Sequence, residues 1–196
     1  MSAAVFVVLG RLEAEELELP SRERVALASE RAREALSVSA RLSGAALGEL
    51  EKDARDAPLP SNGWHWSIAH AGPCVAGVVC RQPVGVDLEP LAERRPELVA
   101  AVLSRSERDL LAPFGPEGFV RGWTAKEAVL KKLGVGLTEL SRCRLVAVDT
   151  PGEVLELDHD GRGHRAHETE LGGMVCAVSF DGPDRPVRWE LEEEVA

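Results

Sequence analysis

Between Pro90 and Pro96 the chain changes character, and that break limits the folds open to it. Upstream lie three short apolar runs, Trp64–Ala69, Val75–Arg81 and Val84–Leu88, separated by Gly72-Pro73 and Gln82-Pro83. They read as strands of one small antiparallel unit. Before them come a first strand over Ala3–Leu9, one or two helices between Ser21 and about Leu50, with Ser37 and Ser39 marking the break if there are two, and a loop over Asp53–Gly63. Downstream the pattern turns helical again. Ser104 and Glu107 form a capping box for a short helix through Leu111, and a longer helix is expected from about Glu117 to Leu133, ended by Gly134. Four or five strands follow, among them Arg142–Val148, Val154–Leu157, Met174–Phe180 and Val187–Leu191. This order predicts two α+β halves, residues 1–92 and 93–196, dividing near Leu91–Arg95.

Composition narrows the function. With 23 basic against 33 acidic residues the net charge is -10, which repels nucleic acid and anionic membranes at long range. A polyanionic ligand must therefore be gripped by a local cluster of Lys and Arg. Ala3–Leu9 is too short to span a bilayer and has no basic residues before it, so a cytoplasmic protein is expected. Cys74, Cys80, Cys143 and Cys176 form no C-x-x-C pair and lie in or beside apolar runs, as buried reduced thiols do.

In Val84-Gly85-Val86-Asp87-Leu88-Glu89, two carboxylates fall on one face of a strand and Val86 and Leu88 on the other. Such a pair suits Mg²⁺, which is commonly held by one or two carboxylates with water and phosphate oxygens; an exposed acidic strand face is the plain alternative. On the predicted helix, Lys126, Glu127 and Lys131 share one broad arc, with Glu127 and Lys131 a turn apart. An ordinary surface pair would look the same, but Trp123 and Leu130 nearby suggest that the arc is partly enclosed. His70 sits where a strand ends before Ala71-Gly72-Pro73. Three carboxylates, a histidine and two lysines are the parts needed to bind a metal-bound pyrophosphate and transfer a phosphoryl-type group. By contrast, Asp158–His167, with three of the five histidines, reads as a polar hairpin loop around Asp160-Gly161 rather than a metal site. Trp64 and Trp66 are expected in the core or sheltering a ligand, and Glu190–Glu194 as a solvated end.

Trp66-Ser67-Ile68-Ala69-His70, then Val84–Glu89, then Trp123-Thr124-Ala125-Lys126-Glu127-Ala128-Val129-Leu130-Lys131 resemble, in order and spacing, the three signatures of the monomeric, two-half 4′-phosphopantetheinyl transferases. The resemblance is strong over Arg55–Leu137 and returns at Met174–Phe180. It implies a pseudo-dimer of two similar α+β halves, each a small antiparallel sheet packed on helices, with coenzyme A and Mg²⁺ at the seam. It further implies metal ligation by Asp87, Glu89 and Glu127, and phosphate contacts from His70, Lys126 and Lys131. Glu127, or a water it orients, would take the proton of a carrier-protein serine, and Lys131 would balance charge at the departing phosphate. Two positions depart from the pattern. Ala69 stands where Ser or Thr is common, and the N-terminal helical region offers Arg31, Arg33, Arg41 and, beyond it, Arg55 for the 3′-phosphate where more positive charge is expected. The implied function is transfer of phosphopantetheine to an apo acyl- or peptidyl-carrier protein by a cytoplasmic monomer. Two alternatives stay open: a non-catalytic coenzyme A or carrier-protein binding module of the same fold, and a magnesium-dependent phosphodiesterase or nucleotidyl transferase sharing only the local chemistry.

Overall fold

The computed structural model of the protein describes residues 4–149 and 153–195. In chain order the elements are β1 (Val5–Arg11), α1 (Ala14–Leu17), α2 (Ser21–Ser43), β2 (His65–Ala71), β3 (Cys74–Cys80), β4 (Val84–Pro90), α3 (Pro96–Val102), α4 (Arg105–Leu111) and α5 (Gly118–Leu133). They continue with β5 (Cys143–Val148), β6 (Val154–His159), β7 (Arg162–Leu171), β8 (Met174–Phe180), β9 (Val187–Leu191) and α6 (Glu192–Val195). The fold is α+β, with two sheets packed on helices. No helix among the described residues is long and apolar enough to cross a membrane.

One sheet has the order β2-β3-β1-β9 and the other β4-β8-β7-β6-β5. They pack face to face through Val5, Val7 and Leu9 of β1, Ala76 and Val78 of β3, Val84, Val86 and Leu88 of β4, and Cys176 and Val178 of β8. On the outer face of the first sheet lies α2, on that of the second lies α5, giving four layers. Each long helix crosses its sheet at a glycine. A Cβ at Gly77 would strike the backbone of Leu36 in α2, and one at Gly85 would strike the backbone of Ala128 and Lys132 in α5. Side-chain-free strand positions are what allow so close an approach.

The expected antiparallel unit of three runs is only partly formed. β2 pairs with β3, but β4 leaves them and pairs antiparallel with β8 in the other sheet. The last strand makes the reverse move, β9 pairing in parallel with β1. Alternation in a strand tells which residues share a face, but not which sheet edge the strand joins. Likewise α2 runs unbroken through Ser37 and Ser39. Ser37 returns its hydroxyl to the Arg33 carbonyl (2.9 Å), while Ser39 donates to the Phe6 carbonyl (2.7 Å) and accepts from the Val79 amide (3.0 Å). Ser39 thus ties the helix to the sheet, and neither serine ends it. The capping box at Ser104 and the left-handed Gly134 (φ 66) that ends α5 match the sequence reading.

Candidate active site

The site forms where β4 passes under α5. Because Gly85 lets the helix down onto the strand, Asp87 and Glu89 emerge beneath its Glu127 and Lys131. Asp87 is 5% exposed; its Oδ1 accepts from Lys131 Nζ at 2.6 Å, and its Oδ2 is buried without a partner. Glu89 accepts from Trp123 Nε1 at Oε1 (3.3 Å) and from Arg94 Nη2 at Oε2 (3.5 Å). Burial pushes Asp87 up to about 6 against the pull of Lys131, and burial together with the Asp87 charge pushes Glu127 up to about 7. Carboxylates that repel one another, one with an orphaned buried oxygen, make a place short of positive charge, and a divalent cation fits it.

His70 ends β2 at the rim, its Nε2 3.3 Å from Ser29 Oγ; desolvation and then the Lys131 charge lower its pKa. Beside Lys131 and Glu127 opens a cavity of about 490 Å³ that Lys52, Arg55, Ser67 and Thr138 also line. Arg55 thus reaches the site, and so does Lys52, which sequence reasoning passed over because nothing but the fold of the 50–60 loop brings it there. Arg31 is engaged by Glu16 (2.6 Å) and Glu34 (2.9 Å), and Arg33 by the Ser29 carbonyl (3.1 Å). Neither lines that cavity.

Lys126 does not converge with Lys131 as the helical arc suggests. It is 1% exposed, with Nζ 2.6 Å from Glu107 Oε1 and 3.1 Å from the Val102 carbonyl. Burial raises the Glu107 carboxyl, but Lys126 and the amides of Leu145 and Ser104 outweigh it, and its pKa ends below the usual range. One residue of helix, 100°, turns Lys126 toward α4 while Glu127 faces β4.

Three further charged clusters lie apart. Glu139, His159 and Asp160 bring ligand atoms within 4.8 Å of one another, but Arg142 pairs with both carboxylates and already supplies the positive charge. Across the sheet from Asp87 and Glu89, Glu168 and Glu170 repeat their spacing on β7 and hold Arg121 between them at 3.2 and 3.1 Å; burial pushes Glu168 up to about 8. The segment read as a polar loop is mostly strand. Asp160 and Gly161, both with positive φ, turn the hairpin, but β7 begins at Arg162 and buries His164.

His164 Nδ1 lies 2.8 Å from Lys132 Nζ, which also pairs with Asp181 at 2.8 Å. An ammonium only donates, so Nδ1 accepts and the imidazole is neutral. Burial, then Lys132, hold His164 down at about 4. The unfolded chain therefore takes up a proton here near pH 6.5 and the folded one only near 4, so this contribution to stability is present above 6.5 and is lost as pH falls through the window. Urea denaturation at pH 4.5, 5.5 and 6.5 is expected to show wild-type stability falling by roughly 2 kcal/mol more than that of His164→Asn across the series.

The comparisons agree with the signatures. The model of the 4′-phosphopantetheinyl transferase superfamily matches residues 83–189, the stretch that carries β4 and α5. The 4′-phosphopantetheinyl transferase Sfp of Bacillus subtilis (strain 168) is 30% identical over 138 residues, which are 66% of this chain and 62% of that protein. The chain thus spans somewhat less than two thirds of that relative's length. With more than half of its residues matched, and with the acidic strand packed under the Trp-x-x-Lys-Glu helix in the fold as in the sequence signatures, the chain belongs to the 4′-phosphopantetheinyl transferase superfamily.

Proposed function

We propose that this protein transfers the 4′-phosphopantetheine moiety of coenzyme A to a serine of an apo acyl- or peptidyl-carrier protein, giving holo carrier and adenosine 3′,5′-bisphosphate. The observation that carries the reading is the placement of Glu127 and Lys131, the latter bonded to Asp87, on the wall of a cavity that Lys52 and Arg55 also line. Asp87, Glu89 and Glu127 are the residues that would hold Mg²⁺, which when bound supplies charge neutralisation at the pyrophosphate. Lys131, His70, Arg55 and Lys52 are the groups we assign to the phosphates; Lys52 and Arg55 line the cavity although they also pair with Asp56 and Asp53, whereas Lys126, Arg31 and Arg33 do not line it. The serine oxygen forms its bond to the β-phosphorus as the bond to the adenosine bisphosphate oxygen breaks. Glu127, or a water it orients, takes the proton from the serine, and Lys131 steadies the charge left on the departing phosphate. In the same reading the enzyme is a cytoplasmic monomer whose halves, 1–92 and 93–196, exchange one strand each.

Incubation with Mg²⁺, coenzyme A and an apo carrier protein should add the mass of phosphopantetheine to the carrier, seen by intact-mass spectrometry. Coenzyme A that binds while no carrier from the same genome is modified would instead identify a binding module.

A further inference from the structure

Glu89 is held from two sides, and the two donors differ in how firmly they are fixed. Trp123 is part of the middle of α5, and its indole approaches Oε1 from a rigid element. Arg94 stands on the connection between β4 and α3. Its Nη1 donates to the Ala92 carbonyl two residues back (3.1 Å), its Nη2 reaches Glu89 Oε2 only at 3.5 Å, and its side chain is 25% exposed. Arg121, on the matching acidic pair of the same sheet, shows what a permanent counter-ion looks like: it grips Glu168 and Glu170 together and is 14% exposed. Arg94 also lines two neighbouring spaces, as Phe119 does. One is a groove of about 470 Å³ lined by Val99 and Arg108; the other, a pocket of about 140 Å³, is lined by Glu89, Leu98 and Trp123.

From these contacts we propose that Arg94 is a displaceable counter-ion for Glu89. In the cation-free protein its guanidinium neutralises Glu89, folds the 91–95 turn against the end of β4, and closes the passage from the outer groove. Arg94 yields Oε2 to a divalent cation, because two positive charges a few ångströms apart at one carboxylate repel. Trp123 keeps the carboxylate oriented after the exchange. The released turn joins groove and pocket, so that cation loading governs access to the carboxylate end of the site. This rests on the assignment of Asp87, Glu89 and Glu127 as cation ligands. Arg94 acts as a positioning residue and touches no reacting atom.

The test uses Mn²⁺, followed by electron paramagnetic resonance of the free ion, on the whole chain. Arg94→Gln should bind Mn²⁺ roughly three- to tenfold more tightly than wild type, because the ion no longer displaces an ion pair. Arg94→Lys, which keeps the charge, should stay within about twofold of wild type. In hydrogen–deuterium exchange, Mg²⁺ should speed exchange over residues 91–95 in wild type, whereas R94Q should show the faster exchange without Mg²⁺. Either R94Q binding Mn²⁺ no more tightly than wild type, or exchange over 91–95 that Mg²⁺ leaves unchanged, overturns the role of Arg94 alone. Wild type that binds no Mn²⁺ overturns the cation assignment, and this proposal falls with it.

Discussion

Replacing Asp87 by Asn or Glu127 by Gln should lower modification of an apo carrier protein by about a hundred- to a thousandfold, the scale seen when one group stabilising developing charge is removed. The protein should nevertheless remain folded. Asp87 is nearly isosteric with Asn, and an Asn Oδ1 can still accept from Lys131. In EDTA, Asp87→Asn should be as stable as wild type or more stable. Its carboxylate is almost fully buried, one oxygen has no partner, and Glu89 and Glu127 add their repulsion. Removing that charge relieves a desolvation cost that the fold bears for the sake of the site. Time courses by intact-mass spectrometry, paired with urea midpoints, check both halves of the expectation. Undiminished turnover in both variants would refute the metal assignment. A loss of activity that merely follows a loss of stability would point to a scaffold role for Asp87.

The second large effect concerns stability. Lys126→Met should cost about 3–5 kcal/mol, because it strands Glu107 inside the protein with its positive partner gone. Glu107 also joins α4 to the second sheet by accepting from the Leu145 amide at 2.9 Å, and it closes its own capping box at Ser104. The double variant K126M/E107Q should recover part of the loss, and a double-mutant cycle in urea would give the coupling. At temperatures where K126M is folded, its KM for coenzyme A should match wild type. A KM raised tenfold or more in fully folded protein would return Lys126 to the phosphates.

The contrast between Lys126 and Lys131 shows what was legible beforehand. Both stand in the signature helix, and a helical wheel puts them on one arc. The wheel does not know where α4 sits, and Glu107 lies 19 residues earlier in the chain. Asp87 and Glu89 were readable because period two in a strand fixes the face without knowledge of the neighbours. Their company was not: Trp123 meets Glu89 through a tertiary contact, and no spacing announces that Arg94 turns back to it across the 91–95 turn. His164 escaped in the same way. A stretch of charged and histidine residues reads as solvated, but strand pairing with β6 and β8 drew it inward to Lys132. The helix and strand boundaries followed from caps and glycines, whereas the destination of β4 and β9 depended on sheet edges that only the assembled fold defines.

The exchange of β4 and β9 also sets the order in which the chain can become a protein. The first sheet lacks its parallel edge until β9, some 180 residues after β1, has been made and brought back, and the second sheet needs β8 before β4 has any partner. Closing loops of that size before any reward is collected slows folding and leaves strand edges bare meanwhile. Neither sheet can finish without a strand from the other part of the chain, so a nascent chain holds β4, with the carboxylates on one of its faces, unpaired until β8 has been made. The acidic residues kept there for the site also serve an earlier stage, since charge on a waiting edge discourages it from pairing with a neighbouring chain.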